Sequence, residues 1–162
     1  MLKNILVTNH SVAEGFKPPK DWAIISITGY GSEDKQAELQ LGWKKTLRLQ
    51  FDDITKTYPG YVSFGYQQAA DVILFLHNIT TKDSISTLLV HRGAGISRSA
   101  AVAMFAYKYY CDHTKMRKLY GTQNHNTLVF KILDYEYHKM RDYADTEHID
   151  SQPSTSRKVC PA

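Results

Sequence analysis

The chain has 162 residues, 43% hydrophobic and 22% charged, which suits one globular domain with a real core and excludes two ordinary ones. A net charge of +4 and a pI near 9.0 favour anionic partners, among them phosphorylated proteins, nucleotides and nucleic acid, without choosing among them. No stretch has the apolar length of a membrane span, the N-terminal apolar run is too short for a signal peptide, and Cys111 and Cys160 give neither a disulfide framework nor a metal spacing. A cytoplasmic protein without cofactor, metal site or membrane partner is therefore expected, and the sequons at Asn9 and Asn78 read as coincidence.

Residues 2–8 read as a first strand, followed by a polar linker through Pro18, Pro19 and Lys20. Residues 22–28 form a second, strongly β-prone run that ends in a Gly-Tyr-Gly-Ser turn, and the polar segment 33–40 reads as a short helix. Residues 45–51 alternate, placing Leu47, Leu49 and Phe51 on one face of a third strand. Asp52, Asp53 and the Pro59-Gly60 loop close it. Ser63 is the expected N-cap of a helix reaching residue 78, with Tyr66, Ala69, Ala70, Ile73 and Leu76 on one face.

Residues 87–91 are nearly all apolar, as in a central parallel strand buried on both faces. The segment 97–112 predicts a buried helix, 115–120 a short helical piece, and Asn126 caps a last helix to residue 141 with Leu128, Val129, Ile132 and Leu133 inward. The domain is expected to occupy residues 1–143, and 144–162 to form a disordered tail. Strands alternating with helices predict an α/β domain with a mainly parallel central sheet flanked by helices.

The stretch 88–104, Leu-Leu-Val-His-Arg-Gly-Ala-Gly-Ile-Ser-Arg-Ser-Ala-Ala-Val-Ala-Met, passes from strand through a glycine-containing turn into helix. Such a junction gathers backbone N–H groups into an anion-binding concavity beyond the carboxyl ends of the strands. Arg98 adds a planar fork of donors suited to phosphate oxygens. The expected phosphate-binding residues are Gly93, Ala94, Gly95, Ile96, Ser97 and Arg98.

This stretch resembles the signature loop of the cysteine-dependent protein tyrosine and dual-specificity phosphatases, His-Cys-x-x-Gly-x-Ser-Arg-Ser, matching at His91, Gly95, Ser97, Arg98 and Ser99. Segments 23–27 and 47–53 resemble the two strands that precede the signature in small bacterial and phage-type members. The resemblance implies a phosphatase-like α/β fold of the dual-specificity type and a phosphoester ligand. It also implies an arginine on the equatorial oxygens, here Arg98, and an aspartic acid protonating the leaving group. Asp53 is the best match to that acid and Asp52 the alternative; equally, the pair could simply cap the strand and polarise a turn. Arg92 stands where the family has its nucleophilic cysteine.

A guanidinium stays protonated and offers only donors, so Arg92 can neither attack phosphorus nor form a covalent intermediate. Cys111 lies 13 positions beyond Arg98, about 20 Å along a continuous helix. Ser97 and Ser99 have no evident activating base and read as supports of the loop, and His91, with no cysteine to tune, reads as structural. Arg92 and Arg98 repel unless an anion lies between them. Either Arg92 turns outward, leaving a stronger anion trap, or it blocks the pocket.

The expected protein is thus a phosphatase-like domain that binds a phosphorylated protein or other phosphoester without efficient hydrolysis. The alternative is an active phosphatase whose natural cysteine at position 92 has been changed to arginine. Dinucleotide binding through Gly93 and Gly95 fails where Arg98 replaces the third small residue of that fingerprint. The basic group Lys115, Arg117 and Lys118 reads more readily as a solvated helix face than as a nucleic-acid surface. Oligomeric state is not legible.

Overall fold

A computed structural model describes residues 1–31, 35–93, 97–111 and 124–150, the last five of these by backbone only. The elements are β1 (Asn4–Asn9), α1 (His10–Gly15), β2 (Trp22–Thr28), β3 (Lys45–Gln50), α2 (Tyr66–Thr81), β4 (Thr87–Arg92), α3 (Ser97–Tyr110) and α4 (Thr127–Asp150). The four strands form one sheet in the order β1-β4-β2-β3, with every pairing parallel. The α/β architecture expected from the alternation of elements is what the chain adopts.

Composition explains the order. All six residues of β4 and six of the seven in β2 are buried, and their near-continuous apolar runs suit the two inner strands. The edge strands β1 and β3 mix exposed and buried positions. Along β2 the faces alternate: Ala23, Ile25 and Ile27 enter the main core with Val72, Leu76, Phe105, Val129 and Leu133, whereas Ile24 joins Leu89 and Ala13 on the opposite face. Helices α2, α3 and α4 therefore contribute to one side of the sheet, and α1 covers part of the other.

Several boundaries differ from expectation. Helix α1 lies in the segment read as linker; Asn9 caps it by accepting a 3.0 Å hydrogen bond from Val12 N. Residues 35–40 are not helical. Their backbone is bound by neighbouring elements, Glu38 N donating to Glu14 Oε1 (3.0 Å) and Ala37 O accepting from Arg48 Nη1 (3.1 Å). Helix α2 begins after Gly65, whose N–H donates to Gln68 Oε1 at 3.0 Å. Its buried face is Ala69, Val72, Ile73, Leu76 and Ile79, and Tyr66 points outward against Tyr135. Helix α4 continues past residue 141 to Asp150, so residues 144–150 of the expected tail are helical.

The helical piece expected at 115–120 and the remaining tail, 151–162, lie outside the described residues. Among the described residues no helix is long and apolar enough to cross a membrane.

Candidate functional site

In a parallel sheet all strands deliver their carboxyl ends to one edge, so side chains far apart in sequence meet there. Here β4 delivers His91 and Arg92, while β3 is followed by Phe51, Asp52 and Asp53. Helix α3 starts at Ser97, placing Ser97, Arg98 and Ser99 in its first turn. Of the expected phosphate loop, Gly93, Ser97 and Arg98 are described, and Ala94, Gly95 and Ile96 lie outside the described residues.

His91 is fully buried and shares a 2.8 Å hydrogen bond with the hydroxyl of Ser26, its register partner on β2. The ring of His10 meets it edge-on at 6.2 Å. This histidine links β4 to β2 through a side-chain hydroxyl and packs against α1. Ser99 is also fully buried.

Arg98 is buried, and its Nη1 donates to the carbonyl of Phe51 while its guanidinium lies 5.8 Å from the Phe51 ring centroid. That bond ties the first turn of α3 to the end of β3. Cys111 belongs to the other end of the fold, forming a parallel bridge with Leu2, just before β1.

The adjacent carboxylates do different things. Asp52 accepts from Tyr30 N and Val62 N, both at 2.8 Å, and its own N–H donates to Val62 O at 2.7 Å. It fastens the loop after β2 to the loop before α2. Asp53 turns the other way: Oδ2 accepts from Arg92 Nη1, and Oδ1 accepts from Asn126 Nδ2 at 2.9 Å. Partial burial pushes the Asp53 carboxyl up, but the Asn126 amide, the Arg92 guanidinium and the Ser97 hydroxyl together outweigh it and hold the group below its ordinary value. An ionised Asp53 bonded to Arg92 has no proton to give a leaving group.

Arg92 therefore does not turn outward. Its side chain is 5% exposed against 30% for Asp53, so the cation lies beneath the carboxylate that neutralises it. Two buried guanidiniums, Arg92 and Arg98, and the Asp53 carboxylate lie near the start of α3. Guanidinium donors suit an anion, and among the described residues no thiol lies beside them.

Asn126 is the residue that sequence reasoning placed only as a cap. It does cap α4, its Oδ1 accepting from Leu128 N and Val129 N, both at 3.1 Å. Its Nδ2 also donates to Asp53 Oδ1 and to Ile54 O (3.1 Å), and its backbone N–H donates to Ser97 O (2.9 Å). One buried residue thus joins the start of α3, through its backbone, and the start of α4 and the Asp53 loop, through its side chain. The cap was legible from a lone asparagine before an apolar run; the contacts across 73 residues had no local signal.

Among the described residues no three His, Cys, Asp or Glu side chains are grouped to hold a metal ion. No family model, curated protein or solved structure matches the chain.

Proposed function

We propose that this protein is a phosphatase-like domain of the protein tyrosine or dual-specificity type that binds a phosphoester, such as a phosphorylated protein, and does not efficiently hydrolyse it. The observation that carries this reading is the ion pair between Arg92 and Asp53. It joins the position where the resemblance requires a nucleophile to the position where it requires an acid, and replaces both chemistries with a salt bridge. The all-parallel sheet, the strand-to-helix passage at its carboxyl edge and buried Arg98 support the same reading. A cytoplasmic setting fits a sequence with only two cysteines, Cys111 and Cys160.

A second reading is an active phosphatase whose natural residue 92 is cysteine. The placement of Asp53 opposite position 92 favours it, since that is where an acid would serve a thiolate. One assay addresses both: aryl phosphate hydrolysis by the chain and by Arg92→Cys, with thermal shift in phosphate and tungstate alongside. Stabilisation of the present chain without turnover, and turnover gained by Arg92→Cys, is the expected result. Turnover by the present chain would overturn the non-hydrolytic reading, and absence of any shift would overturn phosphate binding.

A further inference from the structure

We propose that the outer face of α4 is a self-association surface, on which a second copy of this chain lays its own α4 antiparallel. The inner face of the helix belongs to the core: Val129 and Leu133 are buried in it, and Tyr137 and Met140 pack against it. Half a turn away, Lys131, Tyr135, His138, Arg141 and Asp142 are all exposed and fall on one helix face. That face borders a groove of about 710 Å3, with Lys131, Asp134, Tyr135, His138 and Asp142 in its wall. Tyr135 stays 60% exposed there, an aromatic ring of the kind that anchors protein contacts.

Charge selects the occupant. The face carries both signs, so a partner of a single sign would be attracted at one position and repelled at the next. A complementary helix needs the reverse order of charges, and α4 read backwards supplies it. In a two-fold antiparallel pair centred between Glu136 and Tyr137, Lys131 of one copy stands level with Asp142 of the other, and Tyr135 with His138. The two-fold axis crosses the helices, so each flank of the face meets its own copy. Asp134 and Arg141 share a flank, which sets the carboxylate of one copy beside the guanidinium of the other. Symmetry repeats each pairing, whereas a parallel pair would set Lys131 against Lys131. The groups are available for it. Asp134 uses Oδ1 for both Lys108 and Tyr109, which leaves Oδ2, and Arg141 lies over the Tyr137 ring at 5.9 Å. Asp142 has further interactions within its own chain, which a carboxylate with two oxygens can keep.

Sedimentation equilibrium of the full chain, from about 1 μM to about 1 mM, tests this. A concentration-dependent dimer is expected. Lys131→Glu and Asp142→Lys each bring like charges together twice, and each should weaken the dimer about tenfold. Mixing the two variants should restore it, because every like-charged pair becomes an opposite one in the mixed dimer. A chain that stays monomeric throughout the range would overturn the proposal. So would a dimer indifferent to both variants, or a mixture that associates no more tightly than its components. Should Asp142→Lys not fold, Arg141→Glu decides. It sets a second carboxylate against Asp134 and must weaken the dimer, and unchanged association refutes the antiparallel pairing.

Discussion

Asp53 and Asp134 are nearly equally exposed, 30% and 31% at the side chain, and each accepts from a cation and from a second polar group. Asp134 receives Lys108 Nζ at 2.8 Å and the Tyr109 hydroxyl at 2.5 Å, and that hydroxyl also meets His138 Nε2 at 3.0 Å. Burial raises both carboxyls, and in both cases the neighbours outweigh it and lower them. The cations differ: Lys108 is 46% exposed and Arg92 5%. A lysine on a flexible stem can recover its water when the partner goes, so its pair is worth little. A buried guanidinium cannot, so the carboxylate beside it matters far more. The same carboxylate exposure thus makes a surface tether between α3 and α4 in one place and a structural counter-charge in the other.

The sharpest way to break this contrast is to remove each carboxylate. Asp53→Ala should cost about 3 kcal/mol in urea unfolding, as expected for stripping a buried cation of its counter-charge, and Asp134→Ala less than about 1 kcal/mol; equal losses would show that partner burial does not decide. Asn126→Ala should cost about 2 kcal/mol, combining a lost N-cap with hydrogen bonds to Asp53 and Ile54.

Acid sharpens the contrast next. Both carboxyls are held below the ordinary 3.8, so their stabilisation is complete above that value and is lost as pH falls through the lower folded-state values. Asp53→Asn should therefore flatten the acid limb of the stability profile below about pH 4 more than Asp134→Asn does. An identical limb in both variants would contradict the ranking. The smallest effect belongs to Lys108→Met, about 0.5 kcal/mol at low salt and less at 0.5 M salt, seen as a slight fall in melting temperature.

The sequence disclosed the inner strands well, because burial on both faces forces continuous apolar runs such as Leu88, Leu89 and Val90. It disclosed α3 for the same reason. It hid α1, where six residues are too few to show a period and only Asn9 marks the start. It also misled at residues 35–40, whose polar composition suits a helix but whose backbone is claimed by Glu14 and Arg48.

At the site, type and position of residues were legible and direction was not. Asp52 and Asp53 are chemically identical neighbours, and in extended chain successive side chains leave on opposite sides. One fastens two loops and the other meets Arg92, an assignment fixed by the path of the loop after β3. Likewise Arg92 could be recognised as a substitution for a nucleophile, but its burial beneath Asp53 required the fold.

The position of β1 bears on how the chain is made. Among the described residues it is an edge strand whose neighbour in the sheet is β4, with Asn4 opposite Thr87. During synthesis the first strand therefore emerges long before the strand it pairs with, and closing that pairing must overcome the loop entropy of the intervening chain. The β2–β3 pair can close earlier, from a much shorter segment. Docking of β1 therefore requires the later-emerging β4, whereas the β2–β3 pairing does not depend on it.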